Sequence, residues 1–143
     1  MSDIVAVAAD HGGYELKTAL LPELRTLGVE VLDLGTRSTD SVDYPDFANA
    51  LAEAIGEGRA QRGLLICGTG IGISMAANRH RHIRCALAHD VTTARLARQH
   101  NDANVLALGG RTTAIEIAKD CVKTFFTTPF EGGRHARRVS QFS

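Results

Sequence analysis

Cys67 stands directly before Gly68-Thr69-Gly70-Ile71-Gly72, a thiol at the mouth of a glycine-rich turn. If a strand ends at the thiol and a helix starts after the turn, backbone N–H groups converge on any anion held there, and the helix start adds a favourable dipole. A cysteine so placed is stabilised as thiolate, the form that acts as nucleophile or base. A cysteine at a strand end can equally be a small buried apolar residue, and a glycine turn can serve packing alone. Motif shape leaves both open. It does exclude two nucleotide readings. The dinucleotide fingerprint GxGxxG fails because the third glycine comes one residue early, with Ile73 in its place, and the phosphate loop of nucleotide hydrolases fails for want of its lysine.

Three other groups carry chemistry. Asp10-His11 precedes two glycines, offering a carboxylate and an imidazole, although Asp10 could simply cap the next helix. His100-Asn101 falls where a helical pattern gives way to a loop, where a histidine could merely complement the helix dipole. Arg111, Arg134 and Arg138 are candidates for holding an anion, or are solvated surface charges. Arg134 and Arg138 are four apart and share a face if the tail is helical, a spacing that suits a phosphate dianion. The six histidines form no Cys/His cluster at ligand spacing, so no metal site is expected.

These residues need a scaffold. Short apolar runs at Ile4–Ala9, Val29–Leu34, Gly63–Cys67, Ile83–Ala88 and Asn104–Leu108 read as buried strands. Helical patterns lie between and after them, at Tyr14–Leu27, Asp46–Gly58, Ile71–Arg79, Val91–His100 and Thr112–Phe126. Pro22 predicts a kink or restart in the first helix, and Gly28 its end. Alternation of this kind predicts an α/β fold: a three-layer, Rossmann-like domain with a five-stranded parallel sheet and helices on both faces. Ligands in such folds bind beyond the carboxyl ends of the strands, where strand order reverses. Asp10-His11, the Cys67 turn and Gly109-Gly110-Arg111 all follow strands. No repeat or linker interrupts the 143 residues, so one domain over 1–143 is expected.

Composition narrows the setting. Sixteen basic residues balance sixteen acidic ones, which argues against nucleic acid or an anionic membrane as partner. The basic tail, roughly 129–143, breaks this evenness with Arg134, Arg137 and Arg138 beside His135, a cluster suited to a small anion. Three cysteines without a signal-like leader fit free thiols in a reducing compartment, so a cytoplasmic location is expected. No apolar stretch approaches the roughly 20 residues of a membrane span. Cys85 and Cys121 lie within apolar patterns and read as core.

Taken together, Ala9-Asp-His-Gly-Gly13, Asp43-Tyr-Pro45, Ile66-Cys-Gly-Thr-Gly-Ile-Gly-Ile73, Arg98-Gln-His-Asn-Asp-Ala-Asn-Val105 and Glu131-Gly-Gly-Arg-His135 resemble the ribose-5-phosphate isomerase type B family, which includes the subunits of galactose-6-phosphate isomerase. The five stretches run in family order along nearly the whole chain. The resemblance implies interconversion of ribose 5-phosphate and ribulose 5-phosphate through an enediolate. It makes Cys67 the base that moves a proton between C2 and C1, and His100 the acid that opens the furanose ring. Asp10 and His11 then line the substrate site, and the backbone of Gly68, Thr69, Gly70, Ile71 and Gly72 holds the enediolate oxygen. Asn101, Arg111, Arg134 and Arg138 match substrate and phosphate contacts, whereas Arg137 matches none. A second branch of the family places a glutamate just after the turn; Ile73 stands there, so the chain resembles the cysteine branch.

Chemically, such a reaction needs a base of near-neutral affinity for protons and a donor for the developing oxyanion, but neither metal nor redox cofactor. The resemblance also implies a homodimer or dimer of dimers, each site borrowing residues from the other subunit, with the basic tail contributing. Competing expectations are the same chemistry on allose 6-phosphate or galactose 6-phosphate, or a non-catalytic sugar-phosphate sensor that would not need Cys67 or His100.

Overall fold

A computed structural model describes residues 3–143 of the chain. Its elements run β1 (Ile4–Ala9), α1 (Tyr14–Thr26), β2 (Glu30–Asp33), α2 (Tyr44–Gly56), β3 (Arg62–Cys67), α3 (Ile71–Ala77), β4 (Cys85–Leu87), α4 (Val91–Asn101), β5 (Val105–Gly109), α5 (Ile115–Thr127) and α6 (Arg134–Ser140). All neighbouring strands pair in parallel, in the order β2-β1-β3-β5-β4. The expected α/β, Rossmann-like sheet is what forms.

Period-two alternation explains why the central strands are apolar throughout. Val5, Val7, Leu64, Ile66, Leu106 and Leu108 enter one core cluster, shared with residues of α1, α4 and α5. Ala6, Ala8, Leu65, Cys67, Val105 and Ala107 enter the other, shared with residues of α2 and α3. Each strand is covered on both faces, so neither set of positions can be polar.

Boundaries shift where local bonds win over pattern. The fourth strand shrinks from the expected Ile83–Ala88 to Cys85–Leu87, because the Arg84 N–H donates to the Asn104 side chain rather than to a neighbouring strand. As an edge strand it leaves Cys85 partly buried, packed against the margin of the core, while Cys121 is fully buried. The second helix starts early, at Tyr44, with Pro45 in its first turn where a missing N–H costs nothing. The first helix passes through Pro22 without a restart, its flanking Leu20 and Leu24 fully buried. Gly28 ends it as expected, at φ +83°.

Strand order reverses between β1 and β3, since β1 leads outward to β2 and the chain then returns to lay β3 on its other side. The loops after β1 and β3 therefore part at the switch point. Lys17, 2% exposed, braces the neighbouring loop after β2: its ammonium donates to Asp33 Oδ1 at 2.7 Å and to the Thr36 carbonyl at 2.8 Å.

Burial pulls the Asp33 carboxyl upward, but the Lys17 hydrogen bond, the Gly35 N–H and the charges of Lys17 and Arg37 outweigh it and hold the group below its ordinary 3.8. A depressed carboxylate stabilises the fold above its unfolded value and loses that contribution as pH falls through the folded one. Denaturant unfolding should therefore show stability declining as pH drops below about 4. Lys17→Met should cost about 2 kcal/mol near neutral pH, less than a fully buried pair because Asp33 keeps some water, and should flatten the decline.

Candidate active site

Cys67 closes β3 opposite Gly109 of β5 and is 5% exposed. Its Sγ accepts the Gly70 N–H at 3.1 Å. That amide reaches the sulfur because Gly70 adopts φ +78° as the residue before α3. A side chain there would be strained and would meet the Leu108 carbonyl carbon at 2.9 Å. An amide aimed at sulfur favours negative charge on it. Elsewhere, burial pushes the Cys85 thiol up to about 12, and burial with the charges of Asp90 and Asp120 pushes Cys121 up to about 11.

Three glycine-rich loops stack main chain on main chain around this thiol. A Cβ on Gly110 would sit 2.4 Å from the Gly12 carbonyl oxygen, one on Gly12 3.0 Å from the Gly68 nitrogen, and one on Gly109 2.7 Å from the Thr69 carbonyl. Hydrogen bonds tie the stack further, from the Gly110 N–H to the Cys67 carbonyl and from the Arg111 N–H to the Gly68 carbonyl, both at 2.8 Å. The Arg111 guanidinium lies over Gly68. Thr69 turns its hydroxyl inward to accept the Ile71 N–H at 3.2 Å.

Asp10 is buried, and its Oδ1 accepts the N–H groups of Gly12 and Gly13 at 2.9 and 3.1 Å, shaping the loop. It does not occupy the cap position of α1, which falls to Gly13. His11 accepts the Val42 N–H on Nδ1 at 3.2 Å, so its neutral imidazole carries the proton on Nε2, free to donate to a ligand. Tyr44 was missing from the candidates although it sits within the Asp43-Tyr-Pro45 stretch. Its ring covers Gly72, where a Cβ would fall 2.6 Å from Cζ, and it is exposed.

His100, Asn101, Arg134 and Arg138 are elsewhere. The fourth helix begins at Asp90 beyond the carboxyl ends of the strands and runs back for 11 residues, about 16 Å, to the amino ends. There Asn104 binds both Arg84, ahead of β4, and Gly63, at the start of β3. His100 and Asn101 are thus at the opposite edge of the sheet from Cys67. Asn101 lines a cavity of about 500 Å³ with Arg79, Arg84 and Cys85. The tail is helical, the condition under which Arg134 and Arg138 share a face, and α6 packs on α4, so both belong to this second group. Within a single chain the fold thus places the candidate residues in two groups at opposite edges of the sheet, because a helix must return to the sheet's other edge before the next parallel strand can start.

At the far edge His100, Glu131 and His135 come together, a convergence that spacing along the chain does not show. The His100 and His135 rings stack with centroids 4.2 Å apart and planes within 12°. Glu131 Oε1 lies 3.9 Å from His100 Nε2 and 3.6 Å from His135 Nε2. Burial, His100 and the arginines hold His135 below the ordinary histidine value, against the pull of Glu131.

Known proteins are similar to this one along nearly the whole chain. A family described as Ribose/Galactose Isomerase matches residues 5–142. The chain belongs to the ribose/galactose isomerase family. It is 45% identical over 135 residues to the ribose-5-phosphate isomerase B of Escherichia coli strain K12, covering 94% of this chain and 91% of that one. A protein named D-erythrulose-4-phosphate isomerase, from Pectobacterium atrosepticum, is 40% identical over 138 residues, covering 96% and 91%. The solved structure of the Clostridium thermocellum ribose-5-phosphate isomerase B superposes with a TM-score of 0.94 at 48% identity, covering 96% and 93%. As a member of the ribose/galactose isomerase family the chain is a sugar-phosphate isomerase. Among the described residues no helix is long and apolar enough to cross a membrane.

Proposed function

We propose that the protein interconverts ribose 5-phosphate and ribulose 5-phosphate as a homodimer or larger even assembly, each active site joining the Cys67 half of one copy to the His100 half of another. The observation that carries this reading is the Cys67 sulfur held by the Gly70 amide at the switch point, in a chain similar from end to end to proteins named ribose-5-phosphate isomerase B. The separation of the half-sites supports the shared arrangement, since one small sugar phosphate cannot reach across the sheet.

In this scheme His100 donates a proton to the ring oxygen while the anomeric hydroxyl gives up its own through solvent, which opens the furanose to the C1 carbonyl and restores the proton of His100. The Cys67 thiolate then takes the proton from C2, and the charge moves onto the C1 oxygen. Amides of the glycine-rich turn hold that oxygen. A proton passes from the C2 hydroxyl to the C1 oxygen, and the thiol returns the first proton to C1 as the C2 carbonyl forms, so base and substrate end balanced with no cofactor consumed. Asp10 and His11 contact the sugar near Cys67, and Asn101, Arg111, Arg134 and Arg138 hold hydroxyls and phosphate. Binding the phosphate away from the reacting carbons keeps C1 and C2 over the sulfur. Residues 1–143 act as one domain, and unpaired cysteines fit the cytoplasm.

A coupled isomerase assay across ribose 5-phosphate, allose 6-phosphate and galactose 6-phosphate tests the substrate. Ribose 5-phosphate should give the highest kcat/KM; a six-carbon substrate in first place would replace it. Arg134→Ala should raise KM about tenfold or more with kcat little changed, the loss of a charged hydrogen bond made equally in ground and transition states. An unchanged KM would remove Arg134 from phosphate binding.

A further inference from the structure

His100 is brought together with Glu131 and His135, themselves neighbours in sequence, where α6 packs on the end of α4, with ligand atoms all within 4.8 Å of one another. From this convergence we propose that the three side chains form a transition-metal site, matched best to Zn²⁺, and that an ion there inhibits the enzyme by occupying His100.

Two imidazole nitrogens and one carboxylate oxygen are a donor set that zinc takes with a position left open. Magnesium and calcium prefer oxygen alone, so they are poor matches. Tetrahedral zinc with bonds near 2.0–2.1 Å needs ligand atoms about 3.3 Å apart. The gaps from Glu131 Oε1, at 3.6 and 3.9 Å, close by small movements. Parallel rings cannot both aim a lone pair at one ion, so one imidazole must turn out of the stack. His100 and Glu131 have room to do so, with side chains 40% and 50% exposed, while His135 at 11% is the fixed ligand. Among the described residues none of the three side chains makes a hydrogen bond of normal length, so binding breaks no strong contact. Arg134 and Arg138 flank the cluster and oppose a cation, which makes the Glu131 carboxylate necessary.

An ion on His100 Nε2 removes the N–H that would protonate the ring oxygen. That consequence rests on the role proposed above for His100; the binding itself does not. Full-length protein stripped by chelator is titrated with Zn²⁺ by calorimetry and with Co²⁺ by visible absorption. One ion per chain should bind in the micromolar range, with ligand-field bands for Co²⁺, and isomerase activity should fall with occupancy and return with EDTA. Glu131→Gln, at an exposed position, and His135→Gln should each weaken Zn²⁺ at least about tenfold, with thermal unfolding confirming that both fold. Cys67→Ala should leave binding unchanged. No binding at millimolar Zn²⁺, or binding lost in Cys67→Ala and kept in Glu131→Gln, overturns the site. Full occupancy with undiminished activity overturns the inhibition. A chain with no isomerase activity would defeat the functional reading above, while the titration would still decide the site.

Discussion

Replacing Cys67 with alanine is expected to lower turnover by about 10³-fold or more, the contribution of a positioned base to proton abstraction. Substrate affinity should stay near the wild-type value, because phosphate and hydroxyl contacts come from other residues. The sulfur also has a structural duty, since it accepts the Gly70 N–H and packs among Leu65, Ile73 and Ala107. Alanine leaves that amide without a partner, at a stability cost of about 1–3 kcal/mol. Cys67→Ser separates the two effects. A hydroxyl can still accept from Gly70, but it does not ionise at neutral pH, so serine should restore much of the stability and little of the activity. Unfolding midpoints and single-turnover kinetics on both variants make the comparison. Turnover near wild type in either variant would remove the thiol from the chemistry.

Mixing two dead variants should give a live enzyme. Cys67→Ala and His100→Ala are each expected to be inactive alone, but a hybrid dimer contains one site with both groups intact. After unfolding and refolding an equal mixture, half of the dimers are hybrid and each has one working site in two, so activity should return to roughly a quarter of wild type. A monomer, or a dimer whose sites are each built from one chain, would give no recovery. The result is nearly all or none, and it tests directly whether the two sheet edges meet between copies.

The sheet and its ligand edge were legible because the central strands are apolar on both faces and because polar loops follow them. Cys67, Asp10, His11 and Arg111 fell where the strand-end rule placed them. His100 and Asn101, read at a helix end before the fifth strand, lie at the other edge of the sheet, and no local pattern relates the two edges. Glu131 and His135 escaped notice as a cluster for a related reason: ligand spacing reads neighbours along the chain, and these meet His100 only through the packing of α6 on α4. Tyr44 was hidden as an aromatic at a helix start, and only its contact with Gly72 reveals it. The early start of α2 and the short β4 were set by Pro45 and by Asn104, single residues that outweigh the periodicity around them.

Where Gly12, Gly109 and Gly110 meet neighbouring main chain, there is no room for even one methyl group without backbone giving way. In the proposed site the floor beneath the sugar is therefore written in peptide groups, which mutation can hardly reshape. Any change in the length of sugar accepted has to be made at the rim, by side chains such as Tyr44 or the exposed arginines, while the chemistry underneath is inherited intact.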